Sequence, residues 1–131
     1  MLKSVKVSDY MAANLVTFSP DMEILEAVRQ LIEKRISGAP VVDKRGNLVG
    51  LLSERDCLEV ALEAGYHKSF GGPVSQYMTE NVVTVDADTS ILALAERFIK
   101  ERFRRFPVTQ DNRLVGQISR RDILRAMNVL Q

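Results

Sequence analysis

The chain of 131 residues contains two copies of one sequence pattern, and this repeat constrains the fold more than any other feature. Residues 7–11 (Val-Ser-Asp-Tyr-Met) return as residues 74–78 (Val-Ser-Gln-Tyr-Met), and residues 53–56 (Ser-Glu-Arg-Asp) return as residues 119–122 (Ser-Arg-Arg-Asp). The offset between the copies falls from 67 to 66, so the second copy lacks one residue in the turn around residues 111–112. A repeat over nearly the whole length predicts two similar structural units.

The length of the chain bounds how these copies fold. A single copy of about 60 residues would bury too little surface to be comfortably stable by itself. We therefore expect one compact body made of two half-domains, residues 1–64 and 74–131, joined by a linker at residues 65–73. The linker is recognised by its three glycines and one proline.

The composition is that of an ordinary globular protein, with 46% hydrophobic and 27% charged residues. A formal net charge of +1 lacks the basic excess of nucleic-acid-binding domains, so a nucleic-acid partner is not favoured. One cysteine and one histidine exclude a disulfide framework and a multi-Cys/His zinc site. No apolar run reaches about 18 residues and no leader opens the chain, which favours a cytoplasmic protein without a membrane segment.

Both copies predict the same order of elements, β-α-β-β-α. Apolar residues at helical spacing predict the first helix, and two apolar runs joined by a turn predict a hairpin. The expected strands are residues 15–18, 39–42 and 48–52 in the first copy and residues 82–85, 106–109 and 113–118 in the second. Residues 19–20 and 86–88 are start signals for the first helices, which are expected to end near Gly38 and Arg105. The second helices are expected to start just after Ser53 and Ser119.

The strongest local motif is Gly-x-x-Ser-x-x-Asp, which ends at Asp56 in the first copy and at Asp122 in the second. It falls at a predicted strand-to-helix junction, where free backbone N–H groups and the positive end of the helix dipole favour a phosphate. The serine, Ser53 or Ser119, can add another donor. The aspartate can accept hydrogen bonds from the two vicinal hydroxyls of a ribose.

The same spacing has a second interpretation as a helix capping box, in which the serine and the aspartate satisfy the first N–H groups of the helix. Repetition does not decide between the two interpretations, because both copies need helix caps. The interpretations are also compatible, since a capping serine can still face a ligand.

The second copy carries more arginines than the first. Arg104 and Arg105 replace a serine and a glycine, and Arg120 replaces a glutamate. If the two helix ends concerned face one cleft, several guanidinium groups converge on an anion. Alternatively, the arginines form a solvated basic face at a helix C-terminus, where cations are favoured. Arg120 fits this alternative less well, because a cation at a helix N-terminus opposes the dipole.

In their order and duplication, these motifs resemble a pair of cystathionine-β-synthase (CBS) domains, the two-repeat unit called a Bateman module. The resemblance covers essentially the whole chain and is carried by Val-x-x-Tyr-Met, Val-Thr, Pro-Val, Leu-Val-Gly and Ser-x-x-Asp. It implies an α+β fold of tandem β-α-β-β-α repeats packed about a pseudo-twofold axis, with two clefts between the repeats. Members of the family bind AMP, ADP, ATP, S-adenosylmethionine or NAD in such clefts.

The resemblance also implies roles for individual residues. The aspartates take the ribose hydroxyls, the serines and strand threonines lie towards the phosphate, and the residues around each Pro-Val pair lie near the base. Arg104 and Arg105 stand where nucleotide-sensing subunits of AMP-activated kinases read phosphates, a pattern from which Ser37 and Gly38 depart. The candidate ligand residues are Thr17, Ala39, Pro40, Val41, Ser53, Asp56, Thr84, Arg104, Arg105, Phe106, Pro107, Val108, Ser119, Arg120, Arg121 and Asp122; no catalytic or metal residue is assigned.

Three functional hypotheses follow. The first is a regulatory module without an obligatory cofactor, which binds an adenine nucleotide such as AMP, ADP or ATP and acts in trans on a separate protein. The second is a ligand-free scaffold whose apolar helix stripes serve self-association, as in the homodimers common in this family. The third, an enzyme, lacks support, because the sequence offers no nucleophile–base pair, metal set or Walker-type loop. We expect the first, as a non-catalytic homodimer.

Overall fold

The computed structural model describes residues 1–67 and 71–130. Its elements, in chain order, are α1 (Val7–Tyr10), α2 (Ile24–Lys34), β1 (Gly38–Val42), β2 (Leu48–Ser53), α3 (Glu54–His67), a 3-10 turn (Val74–Gln76), β3 (Val85–Asp86), α4 (Ile91–Glu101), β4 (Arg105–Gln110), β5 (Arg113–Ser119) and α5 (Arg120–Val129). They form two compact units. The central unit contains residues Val16–Val82, and the split unit contains Met1–Leu15 together with the chain from Val83 onward.

The central unit is built on an antiparallel hairpin of β1 and β2 that has one irregularity in its register, after Val41. α2 buries Ile24, Ala27 and Leu31, which are spaced so that they lie on one face of the helix. This face, the hairpin and α3 contribute apolar side chains to a single core, in which Phe18 is among the largest fully buried residues.

The split unit has a three-stranded sheet in which β3 pairs parallel with β4 and β4 pairs antiparallel with β5. α4 buries Ile91, Leu94 and Phe98, at the same helical spacing that α2 uses in the central unit. Phe106 is fully buried in this core. The two copies of the sequence therefore build their cores in the same way, and the β-α-β-β-α order is complete in the second copy.

The first segment of each copy packs into the unit that contains the hairpin of the other copy. Val7 is fully buried in the core of the split unit, and Ala12 exchanges two backbone hydrogen bonds with Gln117 of β5, at 2.8 and 2.9 Å. In the central unit, Val74 is fully buried in the core, and Thr79 exchanges two backbone hydrogen bonds with Leu51 of β2, both at 2.9 Å. The chain therefore passes between the units twice.

The first strand of each copy is shorter than the sequence predicts. Residues 15–18 form no strand, and only Phe18 pairs, in a single parallel bridge with Val41. In the second copy, residues 82–85 contribute only the start of β3. The reason is the proline in the neighbouring strand: Phe18 donates to the carbonyl of Pro40 at 2.9 Å, but Pro40 has no N–H with which to continue the ladder backwards. Pro107 occupies the same place beside β3.

The first helices also start later and end earlier than predicted. Ser19 and Asp86 accept hydrogen bonds from backbone N–H groups two residues ahead, at 3.3 and 2.8 Å, so they stabilise turns in place of helix starts. α2 and α4 begin several residues further on. Both helices are ended by an arginine in the left-handed conformation, Arg35 with a φ of 55° and Arg102 with a φ of 56°.

The hairpins and the second helices agree with the prediction. Each of the four hairpin strands lies within one residue of its expected bounds, and α3 and α5 start directly after Ser53 and Ser119. α3 continues to His67, into the predicted linker at 65–73, of which residues 68–70 lie outside the described residues. Among the helices that the structure describes, none has both the length and the apolar character needed to cross a membrane.

Candidate functional site

Each Ser-x-x-Asp motif lies where the second hairpin strand runs into the following helix. In the split unit, Ser119 pairs with Arg105 across the hairpin, and the backbone N–H of Arg120 donates to the carbonyl of Arg104 at 3.2 Å. The central unit repeats both contacts, between Ser53 and Gly38 and between Glu54 and Ser37 (2.9 Å). The hairpin thus brings the start of the second helix next to the segment that follows the first helix. In the split unit, four of the candidate residues meet there.

Both aspartates cap their helices. Oδ2 of Asp122 accepts hydrogen bonds from the backbone N–H of Ser119 at 2.8 Å and from its hydroxyl at 3.1 Å. Oδ2 of Asp56 accepts the same two bonds from Ser53, at 2.9 and 3.0 Å. The capping interpretation of the motif is therefore correct in both units. It accounts for one oxygen of each carboxylate.

The second oxygen of each aspartate has a different partner in the two units. Oδ1 of Asp122 forms an ion pair with Arg125 at 2.9 Å. That arginine side chain is 58% exposed, and its Nη2 also donates to the carbonyl of Tyr10 at 2.9 Å. Oδ1 of Asp56 accepts a hydrogen bond from the hydroxyl of Thr79, which is exposed, at 3.3 Å. A ligand hydroxyl can compete with such a partner for the carboxylate oxygen, because an exposed side chain regains hydrogen bonds to water.

The four candidate arginines of the second copy lie where the start of β4 meets the start of α5. Arg104, Arg105, Arg120 and Arg121 are all exposed, and no ion pair joins any of them to an acidic group within the described residues. Nε of Arg120 donates to the carbonyl of Phe103 at 3.0 Å, close to the C-terminal end of α4. This contact offsets the unfavourable position of a cation at the start of α5.

The first copy has no room for an arginine at the corresponding hairpin position. A Cβ atom on Gly38 would lie 2.8 Å from the carbonyl oxygen of Leu52 and 3.3 Å from the Cα of Ser53. Both neighbours are backbone atoms, which cannot rotate away as a side chain can. The split unit therefore has an arginine at this hairpin position, whereas the central unit has a glycine that a larger residue could not replace without moving the backbone.

The residues expected near the base lie mostly in the cores. Ala39, Val41, Phe106 and Val108 are at most 3% exposed, and Pro40 and Pro107 are buried as well. The side chains of Ala39 and Val41 belong to the core of the central unit, and those of Phe106 and Val108 to the core of the split unit. Any contact of these segments with a ligand would therefore be made mainly by backbone atoms.

The strand threonines occupy different environments. Thr17 is exposed and lines a shallow groove of about 320 Å³ with Ser19 and Lys44. Within the described residues, no hydrogen bond joins its side chain to the Ser-x-x-Asp motif. Thr84 is partly buried, and its carbonyl accepts a hydrogen bond from Nη1 of Arg97 at 2.9 Å. Of the two threonines, Thr84 is thus the one bonded to a cation in the described part of the chain.

Three residues that contact the candidate set escape the search for repeated motifs. Thr79 and Arg125 hold the second oxygens of the two aspartates, and Arg97 holds Thr84. None of the three is repeated, because the other copy has alanine, glutamate and glutamine at the corresponding places. A comparison of the positions at which the two copies differ is the signal that would have found them.

The one cysteine lies directly after the first motif. Burial raises the pKa of the Cys57 thiol, and the negative charges of Asp56 and Glu54 raise it further. A thiol in this state stays protonated at neutral pH and is a weak nucleophile.

No group of His, Cys, Asp and Glu suited to a metal ion occurs in the described part of the chain. The arrangement offers acceptors for a diol and cations for an anion, which are binding functions.

Comparison with known proteins gives a consistent result. The family model of the CBS domain matches the chain twice, over residues 7–63 and 74–129. Among curated relatives, the inosine-5′-monophosphate dehydrogenase of Aquifex aeolicus is 32% identical over 127 residues. The match covers 95% of this chain but only 25% of that enzyme, so the chain corresponds to about a quarter of the enzyme's length.

Solved structures match the chain over almost its whole length. The crystal structure of CBSX2 in complex with AMP, a protein of Arabidopsis thaliana, has a TM-score of 0.81 and 30% identity and covers 96% of this chain and 98% of its own. The crystal structure of the CBS domain pair of protein MJ0100, in complex with 5′-methylthioadenosine and S-adenosyl-L-methionine, has a TM-score of 0.71 and 28% identity, with coverages of 97% and 98%.

Proposed function

Because the chain belongs to the CBS-domain family, we propose that it is a non-catalytic regulatory module that binds an adenosine-containing ligand and acts on a separate protein. The complexes of CBSX2 with AMP and of MJ0100 with two adenosine compounds support this assignment. The observation that carries it is the state of the two aspartates. Each uses one carboxylate oxygen to cap its helix, while the other oxygen faces an exposed, replaceable partner. A ribose hydroxyl is a suitable replacement.

The charge distribution favours a phosphorylated ligand. Four exposed arginines without acidic partners surround the start of α5 in the part of the chain that the structure describes. Guanidinium groups bind phosphate oxygens in a bidentate manner and repel cations. We therefore favour AMP, ADP or ATP over S-adenosylmethionine, whose sulfonium group is positively charged. A cytoplasmic location stays a prediction from the sequence.

Calorimetric titration of the whole chain tests the proposal. AMP, ADP, ATP, S-adenosylmethionine and NAD are titrated separately, and thermal unfolding is followed with and without each compound. The bound nucleotide is expected to raise the free energy of unfolding by about 2.7 kcal/mol at a hundred times its dissociation constant. Absence of both binding heat and thermal stabilisation with all five compounds would refute an adenosine-binding role.

The two aspartates are expected to contribute unequally to affinity. Asp122→Asn should weaken nucleotide binding about tenfold, because a charge-assisted hydrogen bond is roughly twice as strong as a neutral one. Asp56→Asn should have a smaller effect, since no arginine surplus stands beside it to hold the phosphate. Both changes are measured by the same titration.

Asp9→Asn is the matched control for loss of a cap. Asp9 accepts from the backbone N–H of Lys6 at 2.9 Å, as the two motif aspartates accept from their serines, but it is not a candidate ligand residue. Its replacement should leave affinity unchanged. Equal losses in the Asp56 and Asp122 variants would contradict the proposed asymmetry.

We also propose that the chain forms a homodimer through the outer faces of its helices. In the split unit, Ile99, Leu124 and Met127 are 84%, 62% and 49% exposed and line an apolar groove of about 530 Å³ between α4 and α5. In the central unit, Ile32 and Leu58 are 72% and 64% exposed. Apolar patches of this kind mark association surfaces. The same faces are the observation that favours the second candidate function, a scaffold without a ligand.

A charge on this face should disrupt the dimer. Light scattering after size-exclusion chromatography is expected to give twice the mass of the chain for the native protein and the mass of one chain for Ile99→Glu. Val83→Glu places the same charge on another exposed apolar residue, outside the helices, and should leave the dimer intact. A native protein that is monomeric at tens of micromolar would contradict the proposed dimer.

A further inference from the structure

The guanidinium group of Arg97 joins three parts of the split unit. Nη1 donates to the carbonyl of Thr84 at 2.9 Å, and Nε and Nη2 donate to the two carboxylate oxygens of Glu101 at 2.7 and 3.3 Å. The guanidinium carbon lies 4.5 Å from the centre of the Phe106 ring. The side chain is only 30% exposed. Arg97 thus contacts two candidate ligand residues at once, Thr84 by a hydrogen bond and Phe106 by stacking.

Thr84 depends on this contact because the sheet holds it weakly. β3 has two residues, and its ladder with β4 pairs only Val85 with Val108 and Asp86 with Thr109. Pro107 lacks the N–H that would extend the ladder before Val85, and the Thr84 carbonyl lies on the side of the strand that faces away from β4, because successive carbonyls alternate in direction. The hydrogen bond from Arg97 is therefore the contact that ties the Thr84 carbonyl to the rest of the described unit.

Arginine is suited to this position for two physical reasons. Its planar guanidinium can stack on an aromatic ring and still donate hydrogen bonds within its own plane. Its fork also matches the carboxylate of Glu101, and this hydrogen-bonded pair holds the pKa of Glu101 below the usual range. The pair fixes the orientation of the guanidinium, so the Thr84 carbonyl and the Phe106 ring are held in one geometry.

The central unit lacks this arrangement. Gln30 occupies the place of Arg97, 67 residues earlier, and its side-chain amide donates to Glu26 on the same helix at 3.3 Å. The residue matching Phe106 is Ala39, which offers no ring. We call the contacts of Arg97 with Thr84, Glu101 and Phe106 the clamp; within the described residues it occurs only in the second copy.

We infer that Arg97 is a positioning residue for the ligand in the split unit. It holds the Thr84 backbone and the Phe106 segment in place before the ligand arrives, so less ordering is needed on binding. This inference rests on the proposed adenosine-binding function. It attributes part of the expected difference in ligand affinity between the Asp122 and Asp56 motifs to Arg97 on α4, and the rest to the exposed arginines.

Two variants and a matched control test the clamp. Arg97→Gln installs the residue of the first copy, and Arg97→Lys keeps the charge but loses the fork and the stacking. Arg29→Gln is the control, because Arg29 on α2 forms ion pairs with Glu26 and Glu33 but has no further hydrogen bond among the described residues. All four proteins are titrated with AMP and with adenosine, at a temperature where each is folded by circular dichroism.

A positioning role predicts that Arg97→Gln lowers the affinity for AMP and the affinity for adenosine by the same factor, about tenfold. Arg97→Lys should lie between the native protein and Arg97→Gln, and Arg29→Gln should match the native protein. A loss confined to AMP would overturn the inference, because it would show direct contact of Arg97 with the phosphate. Unchanged affinities in Arg97→Gln, or equal losses in Arg29→Gln, would overturn it as well.

Hydrogen exchange of the ligand-free proteins separates failure of this inference from failure of the proposed function. The amide of Ala87 donates to Thr109 at 3.0 Å, next to β3. Exchange at residues 84–87 should be faster in Arg97→Gln than in the native protein and unchanged in Arg29→Gln. If the native chain bound no adenosine compound, the proposed function would fail and faster exchange would still show the clamp. Unchanged exchange would refute the clamp whether or not ligand binds.

Discussion

Replacing Phe106 by alanine is expected to lower the free energy of unfolding by about 3–5 kcal/mol, the range found for removing a buried aromatic side chain. Phe106 is fully buried in the split unit. Its ring lies 4.9 Å from the ring of Phe98 and 5.3 Å from that of Phe103, both in tilted arrangements. The cavity left by alanine would remove these contacts together with the stacking of Arg97. Urea denaturation of the native and variant chains measures the loss.

The repeat supplies a second variant that keeps this prediction testable. At matching positions the central unit has Phe18 and Ala39, whereas the split unit has Val85 and Phe106. All four are buried, so each core holds one phenylalanine and one smaller residue at these two places. Adding Val85→Phe to Phe106→Ala should therefore restore part of the lost stability, because it moves the ring to the position used by the other unit. A double variant no more stable than Phe106→Ala would show that the cores are not interchangeable in this way.

Gly116→Ala is expected to lower the free energy of unfolding by about 2–3 kcal/mol, at the upper end of the range for overpacking a filled core. An added Cβ would lie 2.8 Å from the carbonyl oxygen of Ala12 and would also overlap the side chain of Met11. Met11 can change its rotamer. Ala12 cannot retreat, because its backbone exchanges two hydrogen bonds with Gln117. The loss is measured by the same denaturation experiment.

Gly50→Ala is the matched comparison in the central unit. There the added Cβ would meet the sulfur of Met78 at 2.5 Å and the carbonyl oxygen of Thr79 at 3.0 Å. A methionine sulfur is the nearest atom at both glycines, but the backbone contact is longer at Gly50 than at Gly116, so the expected cost is smaller, about 1–2 kcal/mol. A larger loss at Gly50 than at Gly116 would contradict this ranking.

The sequence predicts the hairpins and second helices well because their signals are local. Apolar runs, turn residues and a serine at the helix start specify these elements within a few residues. The helix-start prediction at residues 19–20 and 86–88 fails for a local reason too: Ser19 and Asp86 bond to nearby N–H groups in turns. The short first strands follow from Pro40 and Pro107, whose missing N–H groups are visible in the sequence once the pairing partner is known.

The candidate site is less predictable because its contacts join distant segments. The capping geometry of Asp56 and Asp122 is specified within four residues. The Ser-x-x-Asp motif is therefore recognised from the sequence, both as a helix cap and as a candidate ligand site. The partners of the second carboxylate oxygens and the clamp on Thr84 depend on how α4, α5 and the first segment of each copy are placed. The repeat identifies positions that the two copies share, whereas Thr79, Arg97 and Arg125 occupy positions at which they differ.

The exchange of first segments between the copies determines the order in which the chain can fold during synthesis. The central unit is continuous, so all of its parts are available once residue 82 has left the ribosome. The first fifteen residues belong to the split unit and have to wait for β5, whose edge they pair with, more than a hundred positions later. Such long-range closure slows folding and leaves Val7 and Met11 open to wrong contacts in the meantime. For the same reason, either copy produced without the other would lack the strand-edge partner of its own hairpin, Ala12 for β5 and Thr79 for β2.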